Sequence, residues 1–359
     1  QTAAGMAALD TARADGLERL NGSTHIYQLD AALSGQLATL PAGPLSFAVG
    51  LDRRQEGYKL NYDAALLYAA LPDATFQSRK RDITAVFGEL LVPVTKQLEL
   101  TLAVRSDEYS DFGRTTNPKV ALRFQPNDQL VIRGSASTGF RAPSFGQLYT
   151  EATNPSGTLP QIGSARNDPA AACSGVGALV GAARDGVCGV RFDYLTGGNP
   201  NLKPEESKQW SIGFVFAPTN WLTVNADMWR VMRTNVIGYL TPDTILDNYA
   251  VLSEYAIRGQ DGKIDYLRAG RINAAGVVTA GSDIGVAMRG LMGDGRWSAS
   301  LNGSYLDTYK DQLFEGKAWN YRVGRFNNQD LRLRWKHNLA FTYSQGPWSG
   351  TVSPSRAST

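Results

Sequence analysis

Between Leu98 and Asp107 the chain alternates with a period of two. Leu98, Leu100, Leu102 and Val104 fall on one side, and Glu99, Thr101, Arg105 and Asp107, with Ala103, fall on the other. Successive side chains of an extended strand point to opposite faces, so the segment reads as a strand with one apolar and one polar face. The same split recurs where Val120, Leu122 and Phe124 oppose Lys119, Arg123 and Gln125. It recurs again from Gln209 to Phe216, where Trp210, Ile212, Phe214 and Phe216 are apolar. Leu45, Phe47, Val49 and Leu51 form another such face, as do Trp297, Leu301 and Tyr305 opposite Ser298, Ser300, Asn302 and Ser304. Counted in this way, the chain holds about twelve strands.

Alternation alone does not separate a membrane barrel from a soluble sandwich, because both have one apolar face per strand. The connections do. Tight Gly, Pro, Asn or Asp turns are predicted at Pro41 to Pro44, Thr95 to Gln97, Pro126 to Asp128, Pro218 to Asn220, Gly293 to Gly295 and Gln345 to Pro347. The intervening connections read as long: Gly57 to Ser78, Ser106 to Thr116, Pro143 to Lys203, Gly238 to Lys263 and Tyr309 to Asn328. Short turns on one rim and long loops on the other are the outer-membrane arrangement, with the long loops outside the cell. Segments such as Thr24 to Leu40 and Trp221 to Ile237 also exceed the ordinary strand of about five or six residues, as tilted spanning strands must. Trp297 and Trp348 follow short turns on the apolar side, where an interfacial girdle belongs; Trp221 falls on the polar side. The fold class expected is all-β, an antiparallel transmembrane β-barrel portion.

Composition narrows this further. Among 359 residues, 37 glycines and 10% aromatics suit folded β structure. Lys and Arg number 36 against 33 Asp and Glu, and the net charge of +3 leaves no basic block that could neutralise a nucleic-acid backbone. No apolar run approaches the roughly 18 residues of a spanning helix. The chain starts at Gln1 with no initiator Met or signal segment, which predicts an N-terminus made by processing or truncation. Cys173 and Cys188 lie in one Gly- and Ala-rich stretch that reads as loop. A local disulfide in an oxidising compartment is expected there, worth roughly 3 kcal/mol by loop closure, with two free thiols as the alternative.

Two motifs are more specific. Ser137-Thr138-Gly139-Phe140-Arg141-Ala142-Pro143-Ser144 resembles the FRAP-type element of TonB-dependent outer-membrane receptors. After a long loop, Gly197-Gly198-Asn199-Pro200-Asn201-Leu202-Lys203-Pro204-Glu205-Glu206-Ser207 resembles that family's NPxLKPE element. Thr115 to Lys119, Asn273 to Asp283 and Trp335 to Leu339 add to a resemblance covering residues 21 to 351. It implies a barrel of about 22 strands, closed in the family by an N-terminal plug that contacts TonB. The expected division is a lead-in loop over 1–23, barrel strands and loops over 24–352 and an irregular tail over 353–359. No plug is expected in this chain, and a barrel portion truncated at both ends is expected.

The resemblance implies an outer-membrane receptor for a scarce nutrient, above all a ferric siderophore or similar iron complex. Its partners would be outer-membrane lipid, the small-molecule ligand and, through a plug, the TonB complex. The ligand-facing candidates are Arg141 at the rim and Tyr149, Glu151, Arg166, Asp168, Arg184, Asp193 and Tyr194 in the long Pro143 to Lys203 loop, which also carries Asp185 and Arg191. Arg141 also invites a structural role, pairing with a carboxylate. The element from Asn199 through Pro200, Asn201, Leu202, Lys203 and Pro204 to Glu205 reads as structural too, since its prolines fix φ and set how the loop re-enters the barrel. No metal site, cofactor or catalytic centre is expected: His25 and His337 lie far apart, and no cluster has the spacing of a zinc site. A passive porin has the same strands without energy coupling, and a soluble secreted carbohydrate-binding β protein is the reading from another class.

Overall fold

The structure is a computed structural model and describes residues 2–6, 20–62, 76–149, 168–169, 190, 192–327 and 330–359. The strands are β1 (Leu20–Leu40), β2 (Gly43–Tyr62), β3 (Phe76–Pro93), β4 (Leu98–Tyr109), β5 (Gly113–Asn127), β6 (Leu130–Arg141), β7 (Asp193–Leu195), β8 (Glu205–Thr219), β9 (Leu222–Leu240), β10 (Ala256–Arg258) and β11 (Ile264–Arg268). They continue with β12 (Gly270–Met292), β13 (Gly295–Gln312), β14 (Asn320–Tyr321), β15 (Phe326–Asn327), β16 (Asp330–Leu331), β17 (Trp335–Gln345), β18 (Trp348–Val352) and β19 (Ser355–Ser358). Three short helices, α1 (Phe145–Tyr149), α2 (Pro242–Asp247) and α3 (Tyr249–Leu252), lie in the long connections. Among the described residues no helix is long and apolar enough to cross a membrane.

One 14-stranded antiparallel sheet dominates, its main path running β1-β2-β3-β4-β5-β6-β8-β9-β12-β13-β17-β18. Those twelve strands match the number expected from alternation. Each pairs with its sequence neighbour in the sheet, and among the described residues β1 and β18 do not pair with each other, so the sheet is open. The register keeps like faces together: Leu102 opposes Val120, Val120 opposes Ala136, and Ala136 opposes Trp210. A slip of one residue would turn each of these to the other face. The apolar face is accordingly uncovered, with Leu102 at 42% and Val120 at 39% exposure, as befits side chains meant for lipid.

The polar face is zipped by side-chain hydrogen bonds. Arg133 on β6 grips Asp227 on β9 through two bonds of 3.0 and 2.7 Å, reaching across the intervening strand β8. Gly213 stands between them in register, and a Cβ there would collide with the Asp227 carboxylate. Likewise the Trp229 indole lies over Gly281 and donates to Asp283 at 2.9 Å, while Ser304 donates to the other oxygen at 2.6 Å. These belong to the lumen side by chemistry, since they would be unsolvated if turned to lipid.

The turns alternate as expected. At 94–97 the Thr95 hydroxyl accepts from the N–H groups of Gln97 and Leu98, and at 128–129 the Asn127 side chain accepts from Gln129 and Leu130, both at 3.0 Å. Two expectations are corrected. The connection read as a long loop from Ser106 to Thr116 is a tight turn at 110–112, because β4 and β5 stay paired through Ser106 with Thr116 and Glu108 with Arg114. Those pairs are polar on both strands, so no alternation announces them. The tail over 353–359 is not irregular: β18 and β19 pair with β17 in one continuous register, Gln345 with Trp348 and Trp335 with Ser358. The interruption is Pro354, which lacks an N–H but still accepts from Leu339 at 3.0 Å, as a proline on an edge strand can.

A conventional hydrophobic core forms beyond the loop-side rim of the sheet. Leu240, Ile245, Leu252, Ala256, Leu267, Ala269 and Ile272 are buried together under α2, α3 and a small sheet in the order β10-β11-β7. The barrel wall and the loop cap are therefore stabilised by different means, one by ladder bonds and lipid, the other by apolar packing.

The assignment of faces predicts an asymmetry. Leu102→Lys should destabilise the refolded barrel in lipid vesicles by about 2–4 kcal/mol, whereas Ala103→Lys should cost well under half of that. Equilibrium denaturation of both variants checks it, and equal losses would show the faces to be misassigned.

Candidate functional site

The loop-side rim is built where β6 lets go of β5. Their ladder stops at Lys119 with Ser137, just below Pro118, which has no N–H to continue it. Above that point Thr138 and Asn117 bond only through side chains, at 3.2 Å. Gly139 to Arg141 thus keep one paired edge, towards β8, down to Arg141 opposite Glu205. Arg141 donates twice to Glu205, at 3.0 and 2.5 Å. Glu205 is 3% exposed, accepts from the Ile237 amide at 2.8 Å and lies 3.8 Å from Arg233. Phe140 meets Tyr109 edge-on at 5.6 Å. The carbonyl of Pro143 accepts from Arg81 at 2.7 Å; that guanidinium, 4% exposed, also bonds Asp111 and stacks on Phe145 at 4.9 Å.

The second motif latches the returning chain. The Asn199 amide N–H bonds the Gln147 carbonyl at the end of α1, and its side chain donates to Arg271 and accepts from Asn201. Leu202 is buried with Leu148 and Ile237, next to Tyr149. Lys203 exchanges both backbone bonds with the Asn273 side chain, 2.9 Å each, while Asn273 also donates to Asn235 at 2.8 Å. Asn235 has φ of 54°, a left-handed conformation that asparagine tolerates. The two motifs thus join β6, β8, β9 and β12 at one point of the rim.

The predicted ligand candidates divide. Tyr149 lies under Arg79, 5.2 Å from ring centroid to guanidinium, and tilts against Phe145. Asp168 is buried, and both its oxygens accept from Arg258 at 2.8 Å. Arg258 also donates to the Tyr249 hydroxyl and the Gly262 carbonyl, both at 2.7 Å, and its bonds to Asp168 and Tyr249 push its pKa up. Asp168 is therefore an anchor for the loop and is not presented to a ligand. Asp193 is exposed on β7. Tyr194 packs against the Leu240 and Leu267 cluster, and burial pushes its phenol up. Glu151, Arg166, Arg184, Asp185, Arg191 and both cysteines lie outside the described residues.

Cations stacked on aromatic rings recur around the rim. Besides Arg79 over Tyr149, Arg271 lies 5.4 Å over Tyr239, Lys310 lies 4.7 Å over Trp319 and 5.5 Å over Tyr321, and Arg332 lies 4.5 Å over Tyr309. Those of Lys310 and Arg332 join the end of β13 to its connection with β17, a stretch that the sequence marks as a long loop but from which no ligand candidate was drawn. A signal was present: Lys310, Lys317, Arg322, Arg325, Arg332 and Arg334 outnumber Asp311, Glu315 and Asp330 there, among aromatics. Among the described residues no group of three or more His, Cys, Asp or Glu could hold a metal.

Breaking the anchor gives a test of this construction. Arg258→Ala takes two charge-assisted bonds from the buried Asp168 carboxylate, and should lower the local opening energy of β10 and β11 by about 3 kcal/mol, read by amide hydrogen exchange. The barrel ladder around Leu102 should keep its protection.

Comparison with known proteins accords with this geometry. A family description, "TonB dependent receptor-like, beta-barrel", matches residues 4–358. The vitamin B12 transporter BtuB of Vibrio vulnificus is 24% identical over 169 residues, 47% of this chain and 19% of that protein. Among solved structures, the siderophore receptor PirA of Pseudomonas aeruginosa superposes with a TM-score of 0.55 at 16% identity, over 94% of this chain and 49% of that one. A ferric enterobactin receptor, PfeA, of the same organism superposes with a TM-score of 0.63 at 15% identity, over 92% of this chain and 41% of that one. The chain spans about half the length of the solved receptors or less, and under a fifth of BtuB. At these identities the solved structures speak for the fold, while the family match covers nearly the whole chain: it belongs to the TonB-dependent receptors and forms part of their outer-membrane β-barrel.

Proposed function

We propose that this barrel serves the uptake of an anionic iron complex, a ferric siderophore or a close chemical equivalent, received at the loop-side rim. The observation that carries the reading is the set of cations stacked on rings at Arg79, Arg271, Lys310 and Arg332. A ring beneath a guanidinium or ammonium holds it in place and leaves its other side open to a polar or aromatic ligand. Support also comes from the fold neighbours, which include a siderophore receptor and a PfeA variant in complex with enterobactin. The Pro143 to Lys203 loop, with Glu151, Arg166 and Arg184, is proposed to add contacts, and Cys173 and Cys188 to be bridged within it. Energy would come from TonB through a plug, as in the family, and the barrel would act as a receptor, with no catalytic role.

The curated relatives support a second reading, since they are vitamin B12 transporters. Ligand charge separates the two. A negatively charged ferric tris-catecholate should quench the tryptophan fluorescence of the full-length receptor. Lys310→Ala with Arg332→Ala should weaken its binding roughly tenfold or more, at about 1 kcal/mol per stacked cation. Cyanocobalamin binding tighter than the ferric complex, and indifferent to both substitutions, would decide for the second reading. Deleting 170–190 should lower uptake if that loop contributes.

A further inference from the structure

A concavity of about 1040 Å³ lies on the apolar face of the sheet and not at the rim. Phe47, Leu90, Leu102, Val120, Trp210 and Met232 line it across the strands from β2 to β9. Such a surface facing lipid suits acyl chains, and a water-soluble ligand has no access to it. Lys208 and Arg230 stand at its loop-side end.

Their placement is set by register. Lys208 opposes Met232 and Trp210 opposes Arg230, so the two cations are diagonal neighbours on the apolar face, with backbones about 7–8 Å apart. Arg230 comes nine residues after Trp221 at the short turn, and Lys208 eleven before Thr219. A tilted strand crosses the hydrocarbon in about nine to eleven residues, so both emerge at the headgroups of the leaflet on the long-loop side. Farther out on the same face Arg53 pairs with Asp82 at 3.4 Å and Arg114 with Glu108 at 2.6 Å, while Lys310, in the same row as Lys208 through Met232 and Val278, stacks on Trp319. Among the described residues Lys208 and Arg230 make no ion pair or hydrogen bond, and both are exposed. Glu206, two residues farther out on β8, pairs with neither.

We infer that Lys208 and Arg230 hold the phosphate of an anionic, multiply acylated lipid of the outer leaflet, whose chains lie along the apolar face below them. The charge fits, because an unpaired cation pair next to Trp210 and Met232 is matched by a headgroup phosphate, while the long uninterrupted apolar surface is matched by several chains. The inference rests on the membrane position of the barrel and is independent of which nutrient the receptor takes up.

Native mass spectrometry of the full-length receptor in a non-ionic detergent tests it, with a bis-phosphorylated six-chain disaccharide lipid and its dephosphorylated counterpart as probes. The phosphorylated lipid should reach half occupancy at about thirtyfold lower concentration than the dephosphorylated one, from roughly fivefold per cation. Lys208→Gln with Arg230→Gln should erase that preference, and Lys208→Arg with Arg230→Lys should keep it. Equal retention of both lipids by the unaltered receptor would overturn the inference even if the Gln variant fails to fold. So would a Gln variant that keeps the preference, displacement of the lipid by equimolar inorganic phosphate, or a second copy of the receptor occupying the face instead.

Discussion

In hydrocarbon, a backbone N–H or C=O has no water to turn to, and each one left unpaired costs several kcal/mol. The ladder between neighbouring strands is therefore the interaction on which this molecule depends. It explains why each strand of the wall pairs with the next in long registers, such as Leu20 to Leu40 against Gly43 to Tyr62, broken only by local bulges as between Gln36 and Ala38. It also explains where prolines fall. Pro354 sits on the last strand, whose far edge is unpaired, and Pro118 sits where the ladder between β5 and β6 ends.

That second proline connects the wall to the rim. Once β6 is released from β5, its last residues are held only from the β8 side. Arg141 with Glu205 and Phe140 with Tyr109 fix the direction in which the chain departs. The latch of Asn199 and Asn273 receives it on return. A long loop costs little entropy for its length, so the family can vary what lies between the two motifs while the wall stays constant. Buried charge is used here as a positional device: Glu205 and Arg81 each hold several partners at once, Asp168 takes two bonds from Arg258, and all would be costly to leave alone.

The cap and the wall follow different rules, and this governs how the site can be read. In the wall, function is excluded from the apolar side and confined to a polar lumen surface that is largely self-bonded, as by Arg133 with Asp227 and Trp229 with Asp283. At the rim, cations stand on aromatic rings. The cations stacked on rings are therefore found at the top of the barrel, and those of the wall are bonded to carboxylates. Lys208 and Arg230 stand apart on the other side, facing lipid headgroups.

The period-two pattern was enough to determine the number of strands, their faces and most of the long connections, and hence an outer-membrane barrel, because lipid imposes one rule on every spanning residue. The two motifs identified the family for a related reason: their prolines and asparagines act through local backbone geometry that any reader of the chain can see. Strands whose cross-strand pairs are polar on both sides, like Ser106 with Thr116, carry no such pattern and stayed hidden. Asp168 looked available to a ligand until its partner Arg258, ninety residues away, was placed beside it. The stacked cations of the β13 to β17 connection and the free pair at Lys208 and Arg230 were likewise set by register and loop packing. Which charges are paired and which are left over depends on distances between strands far apart in the chain, and that only the tertiary structure decided.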